Sequence, residues 1–301
     1  MENELGIVNS REIESLEKVR LERIKQNLEV VSDIESLSGE EDKIRQYLQS
    51  KALEFGIETD IDRAGNVWFL SDSPEGEVLL NAHMDKVGGT SRAIESNGKI
   101  NGRLDNSLGI SVILGLLQEE IRPSVVFTVE EESEREKISE SGERSFVKRD
   151  LREGKYNFGA RTAAEEIYEG KYKKPKLAIT VDVSAAGMLG NGPLVYMSSS
   201  VFRFPNEGVK FISKLVSQNK LHAQFLNGPA NDSIEFSFLR KSGTLAIEIP
   251  VENLHTDSER SDVADIKEAA ELLSLVIKNH DMIPEMIDEP THREFSDITS
   301  I

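Results

Sequence analysis

Val125-Val126-Phe127-Thr128-Val129-Glu130-Glu131-Glu132 is an apolar run that ends abruptly in three carboxylates. A run of this length bounded by polar residues reads as a buried strand. Two other segments share the plan. Val78-Leu79-Leu80-Asn81-Ala82 runs into His83, and Leu177-Ala178-Ile179-Thr180-Val181 runs into Asp182. Helical spacing lies between them. Strand, helix and strand in alternation predict an α/β fold: a three-layer α/β/α sandwich with helices on both faces of a mainly parallel central sheet. In such sheets ligands gather in the crevice beyond the carboxyl ends of the strands, so residues distant in sequence are expected to meet there.

Working outward, Ile13, Leu16, Ile24, Leu28 and Val31 recur at helical spacing and predict a helix over 11–36. Ser38 and Glu41 have the spacing of a capping box for a second helix, which Gly56 is expected to end. Strands are predicted over 57–61 and 67–70, and a strand pair around Ser96-Asn97-Gly98. Further helices are expected over 107–120, 160–169, 207–218 and 264–279, and a strand over 243–249. Residues 133–158 are dense in Glu, Arg and Lys and read as an exposed insertion, either a mobile loop or a solvated helix. The tail after Pro284 has no clear period. No repeat or low-complexity linker divides residues 1–301, so a single domain is expected.

The chain has 301 residues, a formal net charge of −18 and no cysteine. Lack of cysteine excludes disulfides, thiolate catalysis and cysteine–zinc sites. The negative charge repels phosphate backbones and argues against a nucleic-acid partner. Met1-Glu2-Asn3-Glu4-Leu5 lacks the basic and apolar regions of a signal peptide. No apolar run is long enough to span a bilayer. A cytoplasmic protein without a membrane partner is the expectation.

Five residues in these settings suit a pair of divalent cations: His83, Asp105, Glu132, Asp182 and His255. Each also has a plainer reading. His83-Met84-Asp85 is a polar pair at a strand end, or an imidazole whose spare nitrogen is oriented by Asp85. Asp105 precedes an apolar helix and could simply cap it; it could equally bridge two metals while Asn106 or Ser107 caps. Glu130-Glu131-Glu132 is a solvated acidic run unless it lies at a buried strand end, where adjacent carboxylates repel one another and call for cations. Asp182 could close a turn, and His255 could be structural. His222, His280 and His292 have no comparable setting.

Taken together and in order, these motifs resemble the co-catalytic metallopeptidases, which include the glutamyl and tetrahedral aminopeptidases and the acetylornithine deacetylase group. The resemblance runs from about Asn27 to Ile277. It is carried by Ser36-Leu37-Ser38-Gly39-Glu40-Glu41, Asp62-Arg63-Ala64-Gly65-Asn66, Asn81-Ala82-His83-Met84-Asp85 and Gly102-Arg103-Leu104-Asp105-Asn106. It continues through Phe127 to Glu132, Val181-Asp182-Val183 and His255-Thr256-Asp257-Ser258-Glu259.

The resemblance implies a phosphorylase/hydrolase-like catalytic domain holding two divalent metals. Zinc is favoured by the mixed nitrogen and oxygen ligands, with cobalt or manganese compatible. By position, Asp105 would bridge the metals. His83 and Asp182 would complete one site, Glu132 and His255 the other. Asp85 would orient His83, and Glu131 would be the general base on a metal-activated water. The implied activity is removal of N-terminal residues from peptide substrates. The alternatives are an amidohydrolase acting on N-acyl amino acids and a non-catalytic relative kept for binding or assembly.

The match fails in places. Only 21 residues separate His83 from Asp105, and 72 separate Asp182 from His255. Neither interval accommodates the second domain that the family's branches carry there, so no lid or dimerisation domain is expected and a homo-oligomer remains open. Ser133-Glu134 stands where a glycine often follows the ligand glutamate, and Glu252 where an arginine often precedes the last histidine.

Overall fold

The structure is a computed structural model that describes residues 10–132, 134–138, 144–148, 157–196, 206–228, 231–239 and 241–282. The tail after Pro284, His292, the first nine residues, and Ser133 and residues 139–143 and 149–156 of the insertion lie outside them. In chain order the elements are α1 (Ser10–Asp33), α2 (Asp42–Phe55), β1 (Glu58–Ile61), β2 (Val67–Leu70), β3 (Val78–His83), β4 (Ile94–Ser96), β5 (Lys99–Gly102), α3 (Ser107–Leu117), β6 (Ser124–Thr128), β7 (Glu134–Ile138) and β8 (Arg144–Lys148). They continue with α4 (Phe158–Tyr168), β9 (Leu177–Ser184), β10 (Leu194–Tyr196), α5 (Asn206–Gln218), β11 (Gln224–Leu226), α6 (Ser233–Phe236), β12 (Gly243–Pro250), β13 (Glu259–Asp262) and α7 (Val263–Lys278).

Eight strands form one sheet in the order β1-β2-β6-β3-β9-β12-β10-β11. Its central four, β6, β3, β9 and β12, run parallel. Antiparallel pairing joins β1 to β2, β2 to β6, and β10 to β12. The parallel centre follows from the sequence, because strands covered on both faces carry continuous apolar runs. Alternate residues divide between the two faces. Val67, Phe69, Leu80, Val125, Phe127 and Ile179 pack with α1, α2, α3, α5 and α7, whereas Trp68, Leu79, Val126 and Ala178 pack with α4 and α6. The expected three-layer sandwich with a mainly parallel sheet is therefore the observed fold.

Helix α3 is buried along its whole length because it lies between the sheet and α1. Gly109 allows the close approach: a Cβ there would meet Val181 O at 2.5 Å. On α1, Arg20 reaches Glu119 at 2.6 and 2.7 Å and Glu271 at 2.6 Å, tying α1 to the end of α3 and to α7. The end of α1 is closed by Lys86, whose Nζ donates to Val31 O and Ile34 O, each at 2.7 Å.

Two expectations need correction, and three strands were not foreseen. The capping box does not form: the helix begins only at Asp42, Glu41 Oε1 accepts from Gly39 N at 2.7 Å, and the Ser38 hydroxyl donates to Asp85. Over 134–138 and 144–148 the insertion is neither helix nor irregular loop. Residues 134–138 and 144–148 pair as an antiparallel ribbon, with Glu134 opposite Lys148 and Ile138 opposite Arg144. With so few apolar residues the segment has no hydrophobic period to reveal its strands. Finally, β10, β11 and β13 carry no strand signal of their own. The short sheet β13-β5-β4 extends the predicted pair around Asn97 by one strand.

Candidate active site

Parallel strands place the candidate residues together at their carboxyl ends. His83 ends β3 opposite Thr128 of β6, and Asp182 lies in register with Glu248 of β12. Glu131 and Glu132 follow β6, Asp105 follows β5, and His255 follows β12. All five candidate ligands converge. The sets His83–Asp105–Asp182 and Asp105–Glu132–His255 each offer donor atoms within 4.8 Å of one another. A third set, His83–Glu131–Glu132, also meets that distance.

Asp105 divides its two oxygens between the histidines. Its Oδ1 is 3.1 Å from His83 Nε2 and its Oδ2 is 3.3 Å from His255 Nε2. His83 Nε2 is also 3.4 Å from Asp182 Oδ1, and His255 Nε2 is 3.6 Å from Glu132 Oε1. Bonds of about 2.0–2.2 Å to a tetrahedral cation give ligand–ligand edges of roughly 3.3–3.6 Å. Three of the four separations lie in that range and the fourth just below it, so the donor set suits small divalent cations. Asn106 makes this possible by capping α3 itself, its Oδ1 accepting from Gly109 N at 2.9 Å. Its Nδ2 donates to Val181 O at 2.8 Å, which fastens the loop to β9.

Asp85 is fully buried and acts on two segments. His83 Nδ1 is 3.0 Å from the Asp85 carbonyl oxygen and 3.4 Å from its carboxylate. Donation from Nδ1 leaves the Nε2 lone pair for a ligand. The Asp85 carboxylate also accepts from Glu131 N and Glu132 N, each at 3.0 Å. Asp85 thus fixes His83 chiefly through its main-chain carbonyl and the turn after β6 through its carboxylate. Within that turn Glu131 is partly exposed and Glu132 buried.

The electrostatics are those of crowded carboxylates. Burial pushes Glu131 well above the ordinary carboxylate range, with Asp232, Asp182 and Asp85 adding to it against the pull of His83. Burial, Asp105 and Glu131 do the same to Glu132. Burial also raises Asp182. Burial opposes the charge of Asp105, but hydrogen bonds from His255 and His83 hold its carboxyl well below the usual range. For His83 burial disfavours the cation, yet Asp182, Asp105 and Asp85 outweigh it and raise the imidazole well above its usual value. The hydrogen bond to Asp105 raises His255.

Other residues take part in ways the sequence reading did not foresee. Ser38 supports Asp85. Beneath the site, Asn81 Nδ2 donates to Thr128 Oγ1 at 3.0 Å and to Asp232 Oδ2 at 3.2 Å, forming a buried polar layer. Glu252, where the resemblance implies arginine, pairs with Arg260 at 2.9 Å. The one sequence signal for Asn81 and Thr128 was their interruption of apolar runs.

The fold and this convergence of imidazoles and carboxylates suit a metal-dependent hydrolase, and the family match makes the chain a metallopeptidase. The chain belongs to Peptidase family M20/M25/M40, whose sequence model matches residues 79–279. No curated protein matches it. Among solved structures, a TET aminopeptidase from the marine sediment archaeon Thaumarchaeota archaeon SCGC AB-539-E09 is 14% identical with a TM-score of 0.68, covering 87% of this chain and 98% of its own. The TET1 peptidase of Pyrococcus horikoshii, described as able to assemble into a tetrahedron or a large octahedral shell, is 15% identical with a TM-score of 0.59, covering 86% and 99%. Aminopeptidase PepT of Bacillus cereus is 12% identical with a TM-score of 0.65, covering 86% and 98%. At these identities the likeness shows the fold. No helix among the described residues is long and apolar enough to cross a membrane.

Proposed function

We propose that the chain is a metal-dependent aminopeptidase that removes residues from the free N-terminus of peptides. Two divalent cations, zinc before cobalt or manganese, would be held by His83, Asp105, Glu132, Asp182 and His255. The division of the Asp105 oxygens between two imidazole-bearing sets carries this reading. Bound there, two cations would lower the proton affinity of a water between them and draw charge from a peptide carbonyl oxygen.

The chain's own residues supply the rest. Glu131 takes a proton at its carboxylate and returns it to the departing amine. Burial and neighbouring carboxylates raise this carboxyl above its ordinary range, the direction that favours a group which must hold a proton between the two transfers. Asp85 holds the Glu131 and Glu132 amides and so aims both side chains. Donation from His83 Nδ1 to the Asp85 carbonyl directs Nε2 towards Asp105 and Asp182. The aminopeptidase names of the structural neighbours support a free N-terminus as the recognised end. The shell-forming neighbour supports a homo-oligomer, and the sequence supports a cytoplasmic setting without nucleic acid.

The test is hydrolysis of one peptide panel, free and N-acetylated, by metal-loaded protein with a chelated control. Chelator-sensitive release of N-terminal residues from the free peptides alone is expected. Cleavage confined to the N-acylated set would reassign the site to a deacylase. Absence of both turnover and metal uptake would leave a binding or assembly role.

A further inference from the structure

Glu259 is fully buried at the start of β13, and its carboxylate is committed to backbone amides. Its Oε1 accepts from His255 N at 2.8 Å. Its Oε2 accepts from Asp105 N at 3.0 Å and from Leu104 N. The pairing of β13 with β5 sets Glu259 opposite Gly102, just before the Asp105 turn. One side chain therefore joins the backbone of the shared carboxylate to the backbone of the last histidine. The position it holds is strained: His255 sits at φ +63°, a left-handed conformation that disfavours a non-glycine residue. A second tie runs beside it, from Arg103 Nη2 to Asp257 Oδ1 at 2.6 Å. Contact between the two segments thus has support besides Glu259, whereas the His255 amide and the Asp105 amide are both held by it.

We propose that Glu259 is a positioning residue that sets the register between Asp105 and His255 and thereby the affinity of the Glu132–His255 half of the metal pair. The inference rests on the dinuclear reading above. A carboxylate suits the place because three N–H groups converge on it. A glutamine would turn its own NH2 against at least one of them.

The test is calorimetric zinc titration of the metal-free full chain as wild type, E259Q and E259A, with cobalt absorption spectra, kinetics and thermal melts on the same samples. D265N is the control, because Asp265 is also buried and also accepts two amides, from Gly190 and Gly192. Wild type is expected to take up two ions. E259Q is expected to weaken one of the two by roughly 10–100-fold and to lower kcat more than it raises KM. D265N is expected to melt earlier with metal affinities unchanged. E259Q binding both ions as tightly as wild type overturns the proposal, as does D265N weakening metal to the same degree. Should E259A not fold, E259Q alone decides. A wild type that takes up no metal sinks the dinuclear reading and this inference with it; a wild type with two ions beside an unaffected E259Q sinks this inference alone.

Discussion

Asp62 and Asp105 are both buried carboxylates, and they are satisfied in different ways. Asp62, at the turn between β1 and β2, accepts from Ala64 N, Gly65 N, Asn66 N, Asn66 Nδ2 and Trp68 Nε1 at 2.6–3.1 Å. Those donors are neutral and come from the next six residues of the chain. Asp105 shares its surroundings with Glu132 and Asp182, and its own oxygens face two imidazoles from distant segments. A carboxylate saturated by nearby amides shapes a turn. Carboxylates that crowd one another must take up protons or cations, and the site's two imidazoles are fewer than its three candidate carboxylate ligands.

The strongest way to break this comparison is to remove metal. Chelation is expected to abolish peptidase turnover, and saturating zinc to stabilise the metal-free protein by about 4 kcal/mol at a thousand times Kd, read as a rise in Tm. A metal-free protein with full turnover would show that the crowded site needs no cation. Next in size is E131Q, which should keep metal and lose turnover by about a hundredfold or more, the usual scale for a general base. Normal kinetics from this variant would return Glu131 to the solvated-run reading.

At the other pole, Asp62→Ala should cost about 2–3 kcal/mol in urea unfolding by orphaning buried donors, with metal content unchanged. Loss of metal in that variant would erase the contrast between the two regions. The smallest effect belongs to an exposed pair, His222 Nδ1 and Glu268 Oε1, 2.8 Å apart. The hydrogen bond to Glu268 raises the His222 pKa above its ordinary 6.5. Because the folded value exceeds the unfolded one, the stabilisation is complete below about pH 6.5 and fades as pH rises through the folded pKa. An NMR titration of His222 should fall towards the ordinary value in E268Q; an unchanged curve would separate the pair.

Much of this was legible in the chain. The runs ending at His83, Glu132 and Asp182 announced parallel central strands because burial on both faces demands unbroken apolar sequence. The option that Asn106 frees Asp105 from capping could be stated from two adjacent residues, and the structure takes it. What stayed hidden depends on partners far away. Ser38 and Glu41 have the spacing of a cap, but a buried carboxylate 47 positions on claims the hydroxyl. Strands β10, β11 and β13 span three or four residues, too few to display a period, and form because a neighbour offers an edge. Glu259 stood only at the end of the motif that begins at His255, and its contacts stayed hidden, since nothing local distinguishes a carboxylate that will meet amides from another segment.

The Arg20 clasp has a consequence for the timing of synthesis. One of its partners, Glu271, lies 251 residues downstream. At 5–20 residues per second a ribosome takes roughly 13–50 s to make that length of chain. During that interval α1 already presents Ile24, Leu28 and Val31, while α7, part of the layer that buries them, has yet to be made. Helix α1 is therefore a nascent segment whose apolar face waits on translation, and slower elongation lengthens its exposure to chaperones and proteases.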